Sequence, residues 1–319
     1  MSTTIPIFFT VDESYAPYLD CAIRSIVDNA SPDYEYKIIV LQEKMTEQSI
    51  ERVKTAVKQP FSIEFVSMEQ EFEGLTDRKE NRLRCDYFTM TIYFRIFIAD
   101  MFPEYDKGIY IDSDIIVPGD ISEMYEIDLG ENLLGACPDF SIIGIPELDA
   151  YVEDAIGIPP GKYINSGVLL MDLKKLREVK FADKFLTLLN KYHFDCVAPD
   201  QDYINAMCKG KILFLDECWD AMPPQGDDKE EMENPKLIHF NLFAKPWCYD
   251  DIHYADYFWK YAKQSPFYKD IVRFKAEYSK EKQDSDAACL ANLIETGGVM
   301  GEKDITFRKM YESGESIRV

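Results

Sequence analysis

Two aspartates, Asp112 and Asp114, lie in the segment of this chain best suited to chemistry. Residues 107–118 have the sequence KGIYIDSDIIVP, in which a short apolar strand ends at the two acids. Open α/β sheets bind ligands at the carboxyl ends of strands, and two carboxylates at this spacing can reach one hard cation that also holds phosphate oxygens. The alternative is a turn whose side chains accept hydrogen bonds from backbone amides. Because both flanks are apolar, uncompensated acids would be costly there, and we favour a metal site.

A second candidate is the pair His239 and Lys245, in the segment IHFNLFAKPW at residues 238–247. The chain has only three histidines, and a lone histidine usually has a structural role. A neutral imidazole beside two carboxylates would instead complete a mixed nitrogen and oxygen site suited to Mn²⁺, and a lysine would supply positive charge for a diphosphate. No pattern in the sequence brings residue 239 close to residue 112.

The elements that must position these residues alternate between strand and helix patterns. Short β-branched and aromatic runs predict strands at residues 5–10, 36–41, 62–67 and 108–111. Amphipathic segments between them predict helices at residues 16–29, 46–57 and 89–102. This order predicts an α/β fold with a mostly parallel sheet and helices on both faces.

The character of the sequence changes near residue 250. Segments with Tyr, Trp and Lys, such as HYADYFWKYAKQSPFYKDIVRF, predict helices from there onward. We therefore divide the chain into a catalytic domain at residues 1–250 and a helical C-terminal extension at residues 251–319.

Two charged stretches predict surface loops. Residues 72–86 are a polar stretch that carries Arg78, Lys79, Arg82 and Arg84 in an otherwise acidic protein. They are either a solvated loop or a mobile flap whose cations approach an anionic ligand. Residues 226–235, GDDKEEMENP, predict an acidic surface loop.

Composition excludes several classes of protein. The 319 residues are 46% hydrophobic and 13% aromatic, which is far from the composition of a disordered chain. The formal charge of -23 would repel nucleic acid and anionic lipid surfaces. A nucleotide diphosphate is also anionic, so its binding would require a divalent cation or a local basic cluster. The eight cysteines form no C-x-x-C pair, and no segment has the pattern of a signal peptide or membrane span, so we expect reduced thiols and a cytosolic protein.

A resemblance to a known family rests on five segments in order along the chain, namely PIFFTVDESYAPYLDCAIRSI, YFRIFIADMFPEYDKGIYIDSDIIV, YINSGVLLMDL, PDQDYINAM and IHFNLFAKPW. Together they resemble the family 8 glycosyltransferases, which include bacterial lipopolysaccharide galactosyl- and glucosyltransferases and glycogenin. The resemblance covers residues 5–250. It implies a GT-A type fold and transfer of a hexose from a UDP-sugar with retention of the anomeric configuration.

The resemblance also implies a role for each matching residue. The uracil and ribose of UDP would be held by Thr10, Asp12 and Tyr15. Other contacts to the donor would come from Arg95 and Ser113. The ligands of a Mn²⁺ (or Mg²⁺) ion that stabilises the departing UDP would be Asp112, Asp114 and His239. The sugar pocket and the acceptor face would be lined by Asp139, Asn165, Asp200 and Gln201. The candidates for catalysis are Gln201, Asp139, Asp200 and Lys245, the last of which would neutralise charge on the leaving group.

Several of these residues also have simpler structural interpretations. Asp12 could cap the helix that begins near residue 17, and Arg95 could be solvated on an amphipathic helix. The Asn-Ser-Gly sequence at residues 165–167 and the Pro-Asp sequence at residues 199–200 are ordinary turn chemistry.

Two positions depart from the family's pattern. The first segment has TVDES where relatives commonly have a further Asp or Asn, and Leu242 stands where a glycine often follows the histidine by three residues. A glycine would let a backbone amide approach phosphate closely, so Leu242 implies altered phosphate contacts or a changed donor pocket. No residue is an obvious glycosyl nucleophile, and Gln201 would be a weak one.

The sequence does not distinguish between the possible donor sugars or between the possible acceptors. The donor is UDP-glucose or UDP-galactose, and the acceptor a saccharide or glycoconjugate, as in bacterial cell-surface polysaccharide biosynthesis. We expect no nucleic-acid partner, no integral membrane segment, and at most a peripheral position at the inner face of the membrane. Whether the chain forms a homo-oligomer stays open.

Three rival interpretations remain at this stage. One is a catalytically inactive homologue that binds a UDP-sugar. A metal-dependent phosphatase fits poorly, because its acidic pair usually lies on the first strand and is followed by Thr or Val where Ile116 stands here. A nucleotidyltransferase would need a glycine-rich phosphate loop at its N-terminus, and FFTVDESY is not such a loop.

Overall fold

The computed structural model describes residues 3–68, 91–224 and 230–319. The polar stretch at residues 72–86 lies outside the described residues, and the acidic run at residues 226–235 lies partly outside them. The expectations for these two loops therefore stay predictions.

In the described ranges, the strands form one seven-stranded sheet and one two-stranded sheet. The strands are β1 (Thr4–Asp12), β2 (Glu35–Glu43), β3 (Phe61–Ser67), β4 (Lys107–Ile111), β5 (Ile115–Ile116), β6 (Leu134–Ala136), β7 (Val168–Asp172), β8 (Ile212–Phe214) and β9 (Ile238–His239). The large sheet has the order β3-β2-β1-β4-β7-β6-β8, and β7 runs antiparallel to both of its neighbours while the other pairs are parallel. The small sheet is the antiparallel pair of β5 and β9.

Helices connect these strands and form the last part of the chain. They are α1 (Ala16–Asn29), α2 (Glu47–Lys54), α3 (Thr91–Met101), α4 (Ile121–Tyr125), α5 (Pro146–Tyr151), α6 (Leu173–Glu178), α7 (Phe181–Tyr192), α8 (Pro199–Met207), α9 (Ala255–Ala262), α10 (Tyr268–Ala276), α11 (Lys280–Met300) and α12 (Phe307–Glu312).

The sheet is buried on both faces, as the continuous apolar run of β1 requires. Successive side chains of a strand point to opposite faces, so Phe8 packs into one core cluster while Ile7 and Phe9 pack into the other. The predicted α/β fold with a mostly parallel sheet is confirmed, and α1 has the predicted bounds. The short strands β5 to β9 were not predicted, because runs of two to five residues carry no readable alternation.

The helices beyond residue 251 pack against the same cores as the strands. Phe258 and Tyr261 join the cluster that contains Ile7, whereas Leu293 and Phe307 join the cluster that contains Phe8. The helical character predicted for this part is present, while the division into two domains at residue 250 stays a prediction. Among the described residues, no helix combines the length and the apolar character needed to cross a membrane.

Asp202 of α8 is the anchor for the start of that helix. Its buried carboxylate accepts hydrogen bonds from the hydroxyls of Tyr151 and Tyr163, both at 2.6 Å. It also accepts from the backbone amides of Val197 at 3.0 Å and Ala198 at 3.1 Å. The carboxylate therefore fixes the turn that leads into Asp200 and Gln201.

Replacement of this anchor should destabilise the fold. Asp202→Ala leaves four buried donors without this acceptor, so we expect the free energy of unfolding in urea to fall by about 3 kcal/mol. The matched control is Asp304→Ala at an exposed position, which should change it by less than about 0.5 kcal/mol. Equal midpoints for the two variants would contradict the anchoring role.

Candidate active site

The two-stranded sheet brings His239 to the acidic pair. β4 ends at Ile111, Asp112 and Asp114 follow, and β5 starts at once with Ile115, which pairs directly with His239 of β9. The amide of Phe240 also donates to the carbonyl oxygen of Asp114 at 3.0 Å. Backbone pairing of two very short strands thus brings His239 close to the acidic pair. No sequence pattern could predict this contact.

Asp112, Asp114 and His239 form a group able to hold a metal ion. One ligand atom from each lies within 4.8 Å of the others. Asp220 lies 2.9 Å from Nδ1 of His239 and leaves Nε2 facing Asp114 at 3.4 Å, which is the arrangement by which a second carboxylate orients a metal-binding imidazole. Two carboxylates and one imidazole suit Mn²⁺ or Mg²⁺. The donor set therefore fits the predicted ion.

Gly167 closes the other side of this group. Its carbonyl oxygen accepts from the amide of Asp112 at 2.7 Å. A Cβ atom at Gly167 would lie 2.6 Å from Oδ2 of Asp112 and 2.6 Å from Cε1 of His239. Only glycine therefore allows the backbone to pass this close to the candidate ligands.

Lys245 places its ammonium group against Asp114. Its Nζ donates to Oδ2 of Asp114 and to the carbonyl oxygen of Phe240. Burial would raise the pKa of Asp114, but Lys245 and His239 outweigh burial and hold it below its ordinary value. Burial likewise favours the neutral form of His239, but Asp220 and Asp114 raise the pKa of this imidazole to about 10.

Arg95 is buried, which excludes the solvated interpretation of this residue. Its side chain is 5% exposed and forms ion pairs with Asp112 at 3.0 Å and with Asp200 at 3.2 Å. It also donates to the carbonyl oxygen of Ser166 at 2.6 Å, and its guanidinium lies 4.5 Å from the ring centroid of Tyr110. In the described part of the chain, Asp112 pairs with Arg95, whereas Asp114 pairs with His239 and Lys245. The partners of the acidic pair are therefore cationic side chains rather than the backbone amides of a turn.

The four residues assigned to the sugar pocket lie together around Ser166. Asp139 accepts from the side-chain amides of Gln201 at 2.8 Å and Asn165 at 3.2 Å. Gln201 in turn accepts from the backbone amide of Ser166 at 2.9 Å, and Asp200 accepts from the hydroxyl of Ser166 at 2.9 Å. Burial raises the pKa of Asp200 against the effect of Arg95. Each polar group is therefore held in one orientation by a neighbour.

The residues assigned to the nucleotide lie at the end of β1. Thr10 pairs with the hydroxyl of Tyr110 at 2.8 Å, and Ser113 donates to the carbonyl oxygen of Thr10 at 3.4 Å. Asp12 accepts from the amides of Ser14 at 2.9 Å and Tyr15 at 3.3 Å. Asp12 thus caps the short turn before α1, and not α1 itself as the capping alternative held.

Leu242 has a left-handed backbone, with a φ of 50°. That conformation suits glycine and is unusual for a leucine. The side chain of Asn241 accepts from the amide of Leu242 at 2.8 Å and donates to Ser141 at 3.1 Å. The backbone here thus has a conformation that glycine adopts without strain, and the leucine side chain lines the cleft. The expected change in phosphate contacts stays a prediction.

Many of these residues line one cleft of about 470 Å³, whereas Thr10, Asp12, Ser113, Asp114 and His239 are not part of its lining. Its walls include Tyr15, Arg95, Asp112, Asp139, Asn165, Asp200, Gln201, Leu242 and Lys245. Sequence reasoning missed several residues that shape it, namely Tyr110, Ser141, Ser166, Gly167, Asp220 and Asn241. Tyr110 could have been found, since it is two residues before Asp112 on the same face of the strand. Asp220 could not, because it follows no strand or motif.

Comparison with known proteins identifies the class. The model of glycosyl transferase family 8 matches residues 6–251, more than half of the chain, so the chain belongs to that family. A putative glycosyltransferase of Haemophilus influenzae is 29% identical over 227 residues, which are 71% of this chain and 66% of the relative. The lipopolysaccharide 1,2-glucosyltransferase of Escherichia coli is 27% identical, over 62% of this chain and 64% of the relative. The chain thus matches just under two thirds of the length of these two relatives.

Among solved structures, the galactosyltransferase LgtC in complex with donor and acceptor sugar analogues is 26% identical, with a TM-score of 0.69. The match covers 82% of this chain and 96% of that structure. The fold is therefore the GT-A fold of family 8, and the predicted family and fold are both confirmed.

Gly167→Ala should weaken metal binding. The added methyl group would meet Asp112 and His239, so we expect Mn²⁺ affinity, measured by calorimetric titration, to fall by at least about tenfold. The matched control is Gly161→Ala, where a Cβ meets nothing within 4 Å. Unchanged Mn²⁺ affinity in Gly167→Ala would exclude this group as the metal site.

Metal binding should also depend on pH through His239. Its imidazole is protonated at neutral pH because its pKa is raised to about 10, whereas a metal ligand must be neutral. Mn²⁺ therefore displaces one proton, and its Kd should fall about tenfold for each pH unit between about pH 6 and about pH 8. Asp220→Asn removes the main cause of the raised pKa and should flatten this slope. A Kd independent of pH would contradict the assignment of His239.

Proposed function

We propose that this chain is a retaining hexosyltransferase that moves glucose or galactose from a UDP-sugar to a saccharide or glycoconjugate acceptor. One observation carries the proposal: a single cleft is lined both by Asp112, a member of the group with Asp114 and His239 that could hold a cation, and by the polar cluster around Ser166 and Gln201. The first suits a diphosphate with its cation, and the second suits sugar hydroxyls.

The nucleoside would bind at the end of β1. Thr10 accepts from Ser113, which stands between the two aspartates, and Tyr15 lines the cleft together with Asp112. The rings of Tyr15 and Tyr18 lie 5.5 Å apart between centroids. Trp247 stacks on Tyr18 at 4.0 Å, so aromatic faces are present near this wall of the cleft. Aromatic faces suit a pyrimidine base, and Asp12 can accept a hydrogen bond from that base.

The diphosphate would bind where Lys245 and the three candidate metal ligands meet. A bound Mn²⁺ or Mg²⁺ ion supplies Lewis-acid stabilisation to charge on the departing UDP. The ammonium group of Lys245 adds a second positive charge directed at the same place. Ser113 is buried between the two aspartates and supports their backbone through Thr10.

The sugar would be held by Asp139, Asn165 and Gln201, with Asp200 behind them. The carboxylate of Asp139 already accepts four hydrogen bonds, from the side-chain amides of Asn165 and Gln201 and from the amide and hydroxyl of Ser141. A sugar hydroxyl would therefore replace one of these donors at Asp139. Asp200 is tied to Arg95 and Ser166 and therefore positions its neighbours.

Retention of configuration can be achieved in two ways. A double displacement needs a nucleophile on the far face of the sugar, and the carboxylates of Asp139 and Asp200 are both engaged by strong donors. Gln201 offers only an amide oxygen, which is weakly nucleophilic and already accepts from Ser166. These contacts favour a front-face reaction, in which a phosphate oxygen of the leaving group accepts the proton of the attacking hydroxyl.

The named relatives support glucose or galactose as the donor sugar. One is a lipopolysaccharide glucosyltransferase and another a galactosyltransferase crystallised with donor and acceptor analogues. By analogy, the acceptor would be a saccharide of a cell-surface glycoconjugate, reached from the cytoplasmic side.

The decisive experiment titrates the purified chain with UDP-glucose and UDP-galactose by calorimetry, each with Mn²⁺ and with a chelator, and then measures released UDP. We expect metal-dependent binding of one of the two donors and slow UDP release. Asp114→Asn should reduce UDP release by at least about 100-fold, since it removes one metal ligand and the charge that faces Lys245. The matched control is Asp304→Asn at an exposed position.

Other outcomes would identify the rival functions. Binding of a donor without transfer or hydrolysis would indicate an inactive UDP-sugar-binding homologue. Hydrolysis of a phosphomonoester without affinity for UDP would indicate a phosphatase. A fully active Asp114→Asn variant would contradict the proposed metal site.

A further inference from the structure

The catalytic cleft has a second, apolar part, which we call the apolar annex. It is lined by Ile142, Ile145, Leu148, Phe274, Leu290 and Leu293. These side chains come from the loop before α5, from α5, and from α10 and α11. None of them belongs to the candidate metal group or to the polar cluster around Ser166.

The annex adjoins the sugar pocket along one short loop. Asp139 and Ser141 belong to the polar cluster, because the hydroxyl of Ser141 donates to Asp139 at 2.5 Å. Ile142 follows at once, and Ile145 caps α5 three residues later. A ligand that places a saccharide beside Asp139 therefore places anything attached to that saccharide within reach of the annex.

Helix α11 builds much of the annex, although it lies beyond residues 6–251, the part matched to the family. It approaches α5 closely because a Cβ on Gly297 would lie only 2.8 Å from Leu148, and a Cβ on Gly298 would lie 3.3 Å from Glu147. The close approach carries Leu290 and Leu293 into the wall of the cleft. Half of the annex residues, Phe274, Leu290 and Leu293, thus come from beyond the part of the chain matched to the family.

The donor cannot cover this surface. A UDP-sugar is polar along its whole length except for the face of its base, and aromatic side chains elsewhere in the cleft suit that face. A sugar acceptor is polar as well. Ile142, Ile145, Phe274 and Leu290 expose part of their apolar surface, whereas Leu148 and Leu293 are core side chains behind them, 1% and 3% exposed. An apolar ligand group would be stabilised against the exposed part, because its burial removes both surfaces from water.

We propose that the annex binds an apolar aglycone, an alkyl or aryl group linked to the acceptor saccharide. The inference rests on the proposed function, since it takes the acceptor to enter beside Asp139 and Gln201. It names a class of acceptor: a short glycoside whose apolar part begins close to the sugar that receives the hexose. Each methylene buried in the annex should improve affinity by about fourfold.

The test compares two simple probes that differ only in the aglycone. Methyl β-D-glucopyranoside and n-octyl β-D-glucopyranoside, the latter below its micelle concentration, are titrated by calorimetry into the full chain without nucleotide. We expect the octyl glycoside to bind at least about tenfold more tightly, because several methylenes enter the annex.

Two variants on the same helix locate the effect. Leu290→Asn changes a half-buried side chain of the annex and should weaken octyl glycoside binding by about tenfold. Val299→Asn is the matched control, because Val299 is 54% exposed and lies outside the cleft lining. UDP release from the donor without acceptor should be unchanged in both variants, which also shows that both are folded.

Equal affinity for the two glycosides would overturn the proposal. So would an equal loss of octyl binding in both variants, which would indicate adsorption elsewhere, or dissociation of a dimer by Leu290→Asn, which would indicate a second copy in the annex. Strong preference for the octyl glycoside without any UDP release would contradict the proposed function but would still support the annex as an apolar binding site.

Discussion

The buried guanidinium of Arg95 is the charge on which the arrangement of the cleft depends. A cation removed from water is stable only when it is paired, and Arg95 is paired with Asp112 and Asp200 while it donates to Ser166. These partners lie after β4, at the start of α8 and before β7, so one side chain of α3 ties together four separate parts of the chain. Loss of any partner would leave a buried charge uncompensated, which is why the geometry of the polar cluster is fixed before any ligand arrives.

A second network of charged side chains includes Asp114, the other aspartate of the pair. Asp220, His239, Asp114 and Lys245 alternate in sign and lie in contact, from the loop after β8 to the turn after β9. The two networks meet at residues 112–114, where the sheet ends. Together the two networks hold three cationic side chains, Arg95, His239 and Lys245, against four carboxylates, so the cations are already neutralised by their partners. In a protein with a formal charge of -23, an anionic diphosphate would therefore need a divalent cation to offset the repulsion at this place.

The sequence allowed the central elements and the chemically active residue types to be predicted, because these depend on local patterns. β1, β2, β3 and β4 carry long apolar runs, and Asp112 and Asp114 follow directly from the end of β4. The position of His239 could not be predicted, since it depends on a strand of two residues pairing with another of two. The burial of Arg95 was missed for a related reason: its partners Asp200 and Ser166 are more than seventy residues away. Asp220 and Ser166 act through contacts with residues far away in the sequence, and no sequence pattern marks such contacts.

Leu242 has a left-handed backbone conformation that suits glycine, although the residue is a leucine. A left-handed conformation costs a leucine about 1 kcal/mol relative to glycine, so it persists only when neighbouring contacts enforce it. Asn241 supplies such a contact, because its side chain accepts from the amide of Leu242 and donates to Ser141, which in turn donates to Asp139. Side-chain hydrogen bonds therefore connect the segment between His239 and Lys245 to the polar cluster around Ser166. What the leucine changes is the wall of the cleft, where it adds apolar surface that a glycine would not provide.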